Sequence, residues 1–181
     1  MRLFIAIDLP DEIKKELWYL ALHLGHQAEQ ARVVPFENYH LTLLFIGETR
    51  RVDEVREAFH RLRVPEKPVD FVLEGIGSFK QQRGRTWWVG VRANEVLAEL
   101  AEELGALYRS AGFPLETRAF KPHITLARGV KASRPIELSA PFFEVQADRI
   151  SLMKSVNEGG RMVYTEIDSL IVHRHPHHEN S

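Results

Sequence analysis

The sequence contains no cysteine among its 181 residues. A chain without thiols excludes a disulfide framework, thiolate ligands for zinc or an iron–sulfur cluster, and a cysteine nucleophile. Long apolar runs are also missing, since no stretch reaches the roughly 18 residues that a membrane-spanning helix requires. The opening residues, MRLFIAIDLP, turn polar too early for a secretory signal. We therefore expect a cytoplasmic protein that does not bind membranes.

An excess of either charge is missing as well. The sequence has 24 Lys and Arg against 25 Asp and Glu, and its pI is near 6.8. A protein that coats long duplex nucleic acid usually has a pI of about 9 or more. Neither GxxxxGK[ST] nor a GxGxxG after a strand occurs, so there is no phosphate loop for ATP and no dinucleotide fingerprint. We expect no cofactor, and an anionic ligand would have to meet a local basic cluster.

The predicted elements occur in the same order twice. Residues 3–9, LFIAIDL, are predicted to form a buried strand, and a helix is predicted to follow from Pro10. Residues 86–93, TWWVGVRA, are predicted to form a second strand. Asn94 is suited to cap the helix after it, and Gly112 is suited to end that helix.

In the first of these helices, apolar residues recur at helical spacing, at Ile13, Leu17, Leu20 and Leu24. Acidic residues precede basic ones in its first turns, as the helix dipole prefers. The apolar stripe leaves these charged residues, Lys14 among them, mostly facing solvent.

Further strands complete the two halves. A short amphipathic helix is predicted around 52–63, and residues 68–79 are predicted to form a strand after it. Residues 140–155 correspond to that strand in the second half, where little room is left for a helix. The last strand is predicted at 163–172.

These elements predict an α+β fold in a single bilobal domain over 1–181. The two lobes are pseudo-symmetric, each has a mainly antiparallel sheet with outer helices, and an active-site cleft lies between them. The internal repeat is predicted over approximately 1–80 and approximately 85–160. The assignment of the strand 163–172 to either repeat stays open.

Two of the predicted strands carry the same motif, His-apolar-Thr-Leu. YHLTLLFIG places it at His40, and PHITLARG places it at His123. His40 follows Phe4 by 36 residues, and His123 follows Trp88 by 35 residues. A single histidine in an apolar strand is more often structural than catalytic. The matched position of both motifs in matched repeats indicates function instead.

Strand geometry places the two polar residues of each motif on one face. Since alternate side chains of a strand point the same way, His40 lies beside Thr42, and His123 lies beside Thr125. In the first strand the apolar residues, including Phe45, are expected on the other face. Under the pseudo-twofold axis, the two His and Thr pairs would face each other across the cleft.

Two opposed imidazoles supply a general acid and a general base together near neutral pH. This pair suits in-line displacement at phosphorus, in which water enters on one side and an alkoxide leaves on the other. The threonine hydroxyls can donate to the non-bridging oxygens. For a strained cyclic phosphodiester, these imidazole and hydroxyl groups suffice for catalysis without a metal ion. The residues alone do not say which histidine is the acid.

Three segments carry a resemblance: RLFIAIDLP, VPFENYHLTLLFIGE and FKPHITLARG. Together they resemble the 2H phosphoesterase superfamily, specifically the bacterial and archaeal RNA 2′,3′-cyclic phosphodiesterases, historically called 2′-5′ RNA ligases. The similarity spans nearly the whole chain in the same order. One departure is that Val33 and Val34 stand where related sequences often have tryptophan, which puts base stacking there in doubt.

The resemblance implies a bilobal enzyme that hydrolyses an RNA-terminal 2′,3′-cyclic phosphate to a 2′-phosphate. It implies that His40 donates a proton to the 3′ oxygen and that His123 accepts a proton from water. Attack by a 5′-hydroxyl in place of water would form a 2′-5′ linkage without ATP. The implied partner is RNA with a cyclic phosphate end, with tRNA fragments as a candidate source, and we expect a monomer.

Residues around the second motif are further candidates for substrate binding. Arg128 belongs to the family pattern and would contact phosphate or RNA, although an ideal strand places it on the face opposite His123, where a salt bridge is the alternative. Lys121 is expected on the same face as His123, where it would attract phosphate or be solvated. Phe120 is a candidate for stacking on a base.

The stretch KQQRGRTWW concentrates basic residues beside two tryptophans. Arg83 and Arg85 are predicted to grip an RNA backbone from a mobile loop, with a solvated hairpin tip as the alternative.

Two other functions compete with hydrolysis. A non-catalytic RNA-end binding protein would use the same cleft. A histidine-metal hydrolase is a poorer match, because neither motif has helical histidines at i, i+4 or companion carboxylates. The histidine-rich end at 173–181 is predicted to be frayed and without function.

Overall fold

A computed structural model of the chain describes residues 1–172. Within them lie nine strands, three α-helices and one short 3-10 helix. The strands are β1 (Arg2–Asp8), β2 (Gln30–Val33), β3 (His40–Glu48), β4 (Val69–Gln81), β5 (Gly84–Val91), β6 (His123–Lys131), β7 (Phe142–Ala147), β8 (Arg149–Glu158) and β9 (Arg161–Ile171). The helices are α1 (Asp11–Gln27), α2 (Val52–Phe59) and α3 (Glu95–Ser110), and the 3-10 helix is Phe36–Asn38.

The strands form two antiparallel sheets, which confirms the predicted α+β class. The four-stranded sheet has the order β3-β1-β8-β9, and the five-stranded sheet has the order β2-β6-β5-β4-β7. In each sheet the strand that carries a His-x-Thr motif pairs with the strand that begins the corresponding predicted repeat: β3 with β1, and β6 with β5.

The sheets do not coincide with the two halves of the chain. β4, from the first half, pairs with β5 and β7 in the five-stranded sheet, whereas β8 and β9 complete the four-stranded sheet. The single strand predicted over 140–155 was wrong: β7 ends at Ala147, β8 begins at Arg149, and the chain changes sheet at Asp148. The internal repeat itself stays a prediction.

The helices begin and end where local chemistry allows. The Asn94 side chain accepts a hydrogen bond from the Leu97 backbone N–H at 3.0 Å, which caps α3 as predicted. Gly112 follows that helix with φ of +79°, a left-handed conformation that glycine adopts without strain. α2 is shorter than predicted, since it ends at Phe59 rather than near residue 63.

The strand that precedes each long helix belongs to one sheet, and the helix itself packs against the other sheet. α1 follows β1 of the four-stranded sheet but lies against β2 and β6, whereas α3 follows β5 but lies against β3 and α2. The apolar faces of the two sheets and the helices enclose one main core, which includes Leu41, Leu73, Leu104 and Ile124. This crossing ties the two motif strands to a common core. Within residues 1–172, no helix combines the length and apolarity needed to cross a bilayer.

Candidate active site

The first motif lies at the start of β3, an edge strand of the four-stranded sheet. His40 pairs with Asp8, and Thr42 pairs with Ala6. Leu41 is fully buried in the core, so the motif side chains project from the opposite face.

Two hydrogen bonds fix the imidazole of His40. Nδ1 lies 2.7 Å from the Asn38 carbonyl oxygen, and Nε2 lies 2.8 Å from Thr42 Oγ1. A carbonyl only accepts, so Nδ1 carries a proton, and Nε2 of the neutral ring accepts from the Thr42 hydroxyl. Asn38 is itself held by its side-chain amide, which donates to the Met162 carbonyl at 2.8 Å.

The surroundings of His40 favour its neutral form. Burial lowers the pKa of His40 to about 4, outweighing the Asn38 carbonyl and the Asp8 carboxylate, which raise it. The ring centroid lies 5.0 Å from that of Phe4 and 5.2 Å from that of Tyr164. The positive charges of two further groups, Arg128 and Lys14, also lower the pKa. At neutral pH the free protein therefore holds an uncharged His40.

This pKa predicts that stability falls in acid. Between about pH 6.5 and pH 4 the unfolded chain binds a proton at His40 that the folded protein excludes. The stabilisation is therefore present above about pH 6.5 and is lost as the pH falls towards 4. In urea unfolding, the unfolding free energy of the unmodified protein should drop from pH 7.5 to pH 4.5. This drop should be about 2 kcal/mol larger than the drop in His40→Gln. His23→Gln, on the exposed side of α1, should keep the full drop; equal drops in all three proteins would contradict the prediction.

The second motif repeats the anchoring of the first. His123 Nδ1 lies 2.7 Å from the carbonyl oxygen of Lys121, two residues before it, as Asn38 lies two residues before His40. Nδ1 of His123 therefore donates, and Nε2 has no hydrogen-bond partner within the described part of the chain. Both motifs thus present Nε2 as the atom available for proton transfer.

A bulge in β3 changes which side chains share the face of His40. Ala6 pairs with Thr42 and Ile5 pairs with Leu44, so one extra residue interrupts the alternation between them. Phe45 then lies opposite Phe4 on the His40 face, and it is 61% exposed. The prediction that Phe45 faces away from His40 was wrong, because it assumed an uninterrupted strand.

A matching bulge occurs in β6. Thr125 pairs with Trp88 and Ala127 pairs with Trp87, so the alternation is interrupted between them, and Leu126 and Ala127 are both buried. Arg128 consequently returns to the face of Thr125 and of the histidine of its motif. The expectation that Arg128 lies on the opposite face was wrong for the same reason. Phe45 and Arg128 each follow their motif threonine by three residues.

The two motif strands adjoin each other where the sheets meet. β2 pairs with the C-terminal part of β6, from Ala127 to Lys131, and β3 contacts β6. Arg128 of β6 is near enough to His40 of β3 for its charge to lower the pKa of that ring. The two motif faces therefore lie near each other where the sheets meet, and the space beside them is called the cleft below.

The other predicted contacts around the second motif lie close to it. Lys121 is exposed, and its carbonyl holds His123. Phe120 is partly buried and packs against the main core. Their predicted contacts with substrate stay predictions.

The structure does not bring the predicted basic loop to His123. Arg83 lies in the β4–β5 turn, and Gly90 of β5 pairs with His123. Seven residues separate Arg83 from Gly90, which corresponds to about 23 Å along the strand. Arg85 lies on the face away from His123, and its Nε donates to Ser78 Oγ at 2.8 Å.

A buried lysine beside His40 was not predicted. Lys14 is 7% exposed, and its Nζ lies 2.8 Å from Asp8 Oδ1. The expectation that Lys14 faces solvent was wrong, because the buried stripe of α1 is Lys14, Leu17, Ala21 and Leu24. The 3-4-3 spacing of these positions is the signal that could have indicated its burial.

The same region contains a charged cavity of about 190 Å³. Its lining includes Asp8, Lys14, Glu37, His40, Arg149 and Glu166. The cavity gives the His40 side of the cleft both positive and negative groups. Among residues 1–172 no group of three or more potential metal ligands is found, and the histidine-rich end at 173–181 lies outside the described residues.

Comparison with known proteins places this fold and these motifs in a family. The family model described as the 2′-5′ RNA ligase superfamily matches residues 10–159. The chain belongs to this superfamily. The resemblance inferred from its His-x-Thr motifs is thereby confirmed.

Relatives in this superfamily align along most of the chain. A Thermotoga maritima protein named RNA 2′,3′-cyclic phosphodiesterase is 37% identical over 164 residues, covering 86% of this chain and 87% of its own. An Escherichia coli protein of the same name is 32% identical over 170 residues, covering 92% and 93%.

Solved structures of similar proteins share the fold. The Thermus thermophilus protein TT0787 aligns with a TM-score of 0.79 and 31% identity, covering 95% of this chain and 98% of that one. E. coli LigT complexed with 3′-AMP aligns with a TM-score of 0.75 and 28% identity, covering 96% and 98%.

Proposed function

We propose that this chain hydrolyses an RNA-terminal 2′,3′-cyclic phosphate to a 2′-phosphate, using His40 and His123 as acid and base. One observation carries the proposal. Both imidazoles are anchored through Nδ1 to the carbonyl two residues earlier, at 2.7 Å, and both present Nε2 on a face that borders the cleft. The relatives named RNA 2′,3′-cyclic phosphodiesterase support the choice of substrate.

In the proposed step, a water oxygen attacks phosphorus in line with the P–O3′ bond. The water proton passes to Nε2 of His123 as the new P–O bond forms. The P–O3′ bond breaks, and Nε2 of His40 gives its proton to O3′. Thr42 and Thr125 donate to the non-bridging oxygens, where negative charge lies in the transition state. The assignment of His40 as the donor follows the resemblance.

The donor role requires His40 to gain a proton when substrate binds. In the free protein the pKa of His40 is about 4, so the ring is neutral near pH 7. A phosphodiester anion beside the ring favours the imidazolium, because an opposite charge within about 4–6 Å raises the pKa of a histidine. Thr42 then turns its hydroxyl towards the phosphate, which leaves the protonated Nε2 directed at O3′.

Two residues beyond the motifs are proposed to hold the substrate. Arg128 offers a guanidinium on the His123 face, close to His40, and a guanidinium suits bidentate contact with phosphate oxygens. Phe45 offers an exposed ring on the His40 face, and such a ring can stack on a base.

The reaction can be tested with an oligonucleotide ending in a 2′,3′-cyclic phosphate. Purified protein with EDTA is expected to convert it to a product with a 2′-phosphate end, identified by end mapping. Activity should be the same with and without EDTA, because the proposed step uses protein groups alone. A lack of turnover, or loss of turnover with EDTA, would count against the proposal.

The same chemistry allows a second nucleophile. If the 5′-hydroxyl of another RNA replaces water, its proton passes to His123 and a 2′-5′ phosphodiester forms without ATP. We propose that the protein also catalyses this ligation, which needs no ATP and is reversible. The superfamily description supports this proposal.

A further inference from the structure

Beside His123 the cleft is lined by aromatic rings. Trp88 of β5 pairs with Thr125 of β6, and Phe79 of β4 pairs with Thr86 of β5. Thr86 and Trp88 are two residues apart on β5, so the rings of Phe79 and Trp88 share the face of His123. The ring centroids of Phe79 and Trp88 are 5.3 Å apart, and Phe79 meets His123 edge-on at 5.4 Å. Phe79 remains 37% exposed.

The strand beside Trp88 leaves room for its indole. Gly77 pairs with Trp88, and a Cβ at that glycine would come within 2.2 Å of the indole. No real Cβ tolerates such an approach, so glycine lets the indole lie across the neighbouring strand. The indole forms a floor, and Phe79, Trp88 and His123 form one cluster, because the centroids of Trp88 and His123 are 6.1 Å apart and Phe79 contacts both.

The two sides of the cleft differ in character. The His40 side contains the cavity lined by Asp8, Glu37 and Glu166 together with two cations. On the His123 side, the floor positions on β4 and β5 are Gly77, Phe79, Thr86, Trp88 and Gly90, and all of them are uncharged. Arg128 of β6 supplies a positive charge on this side, whereas the exposed ring of Phe79 over uncharged floor positions suits stacking on a base, since every base offers a π-face.

In-line chemistry assigns the two sides to different reactants. The leaving O3′ belongs to the nucleotide that carries the cyclic phosphate, and it departs towards the proton donor, His40. The nucleophile enters from the opposite side, next to the proton acceptor, His123. Water needs no aromatic surface there, whereas an incoming RNA end brings a base.

We infer that Phe79 and Trp88 form the subsite for the 5′-terminal nucleoside of an RNA that attacks with its 5′-hydroxyl. This inference rests on the proposed function. The base of the incoming nucleoside stacks on Phe79, which places its 5′ oxygen beside Nε2 of His123. The 5′ oxygen forms the new bond to phosphorus, its proton passes to His123, the P–O3′ bond breaks, and O3′ takes the proton from His40.

A competition experiment tests the subsite. An oligonucleotide with a 2′,3′-cyclic phosphate end is incubated with an oligonucleotide with a 5′-hydroxyl end. The hydrolysed product and the 2′-5′ ligated product are quantified separately in the same reaction. Phe79→Ala should lower the ratio of ligated to hydrolysed product by about 5-fold to 100-fold, the effect of losing one stacked base. Phe79→Tyr should retain the ratio. Phe142→Ala removes another exposed phenylalanine, 56% exposed on β7, and should leave the ratio unchanged.

An acceptor without its first base separates stacking from structural support. With the unmodified protein, an abasic 5′-terminal residue should lower the ratio as much as Phe79→Ala does, and in Phe79→Ala it should lower it no further. An unchanged ratio in Phe79→Ala, or equal sensitivity of both proteins to the abasic acceptor, would overturn the inference. If the unmodified protein hydrolyses the cyclic end without forming ligated product, the inference fails while the proposed hydrolysis stands. If it does not hydrolyse that end, the proposed function fails, and the inference fails with it.

Discussion

Replacing His40 or His123 by alanine is expected to reduce the rate of cyclic phosphate hydrolysis by about 10² to 10⁴ in each case. Each Nε2 transfers one proton in the proposed step, so alanine removes the group that carries that proton. The measurement is kcat/KM with a short oligonucleotide that ends in a 2′,3′-cyclic phosphate. The double variant should be little slower than the single variants, since groups that act as a unit are not additive.

The matched control for these variants is His60→Ala. His60 lies after α2, where its Nε2 is 2.8 Å from Asp168 Oδ2, and it is not a motif residue. Its replacement should leave kcat/KM within about 2-fold, as expected for a mainly exposed group outside the site. Loss of activity equal to that of the motif variants, or full activity in either motif variant, would contradict the two-histidine mechanism.

A substrate with sulfur in place of O3′ distinguishes the acid from the base. A thiolate leaves without prior protonation much more readily than an alkoxide, so the acid becomes nearly dispensable. If His40 is the donor, the 3′-thio substrate should restore most of the activity of His40→Ala and little of that of His123→Ala. The reverse pattern would exchange the two roles and leave the rest of the mechanism intact.

The motifs could be predicted from the sequence because they depend on local geometry. In a strand, residues i and i+2 share a face whatever the strand pairs with, so His40 and Thr42 had to lie together. The Nδ1 anchor is equally local, since the accepting carbonyl lies two residues before each histidine. The cap at Asn94 followed from a pattern of the same short range.

The positions of Phe45 and Arg128 could not be predicted by simple alternation. Each lies beyond a bulge, and a bulge is decided by pairing with another strand rather than by the strand's own pattern. A signal was nevertheless present in the sequence. The adjacent apolar pairs in LTLLF and ITLAR break the period of two, and placing both residues of each pair inward gives the observed faces.

The exchange of strands between the sheets could not be predicted from the sequence either. The chain passes from β7 to β8 through the single residue Asp148, which no cluster of turn residues marks. Choice of a pairing partner is a tertiary property, because β4 and β8 could each satisfy their backbone groups in either sheet. For Lys14, the spacing of the stripe of α1 indicates burial, but the ion pair with Asp8, 2.8 Å away, which makes a buried charge tolerable, is a tertiary contact.

The motif threonines should matter almost as much as the histidines. Thr42→Val and Thr125→Val keep the shape of each side chain but remove the hydroxyl that the mechanism directs at the non-bridging oxygens. Loss of one preorganised donor costs about 10² to 10³ in kcat. Serine at the same positions keeps the hydroxyl and should keep most of the rate.

Thr42→Val has a second expected effect that Thr125→Val lacks. Thr42 Oγ1 lies 2.8 Å from His40 Nε2 and donates to the neutral ring in the free protein, so valine removes a stabiliser of that form. The pKa of His40 should therefore rise in Thr42→Val, and NMR titration of the imidazole can follow it. Thr165→Val, at an exposed threonine of β9, is the control for loss of a hydroxyl. Full activity in Thr42→Val or Thr125→Val would show that the threonines do not stabilise the transition state.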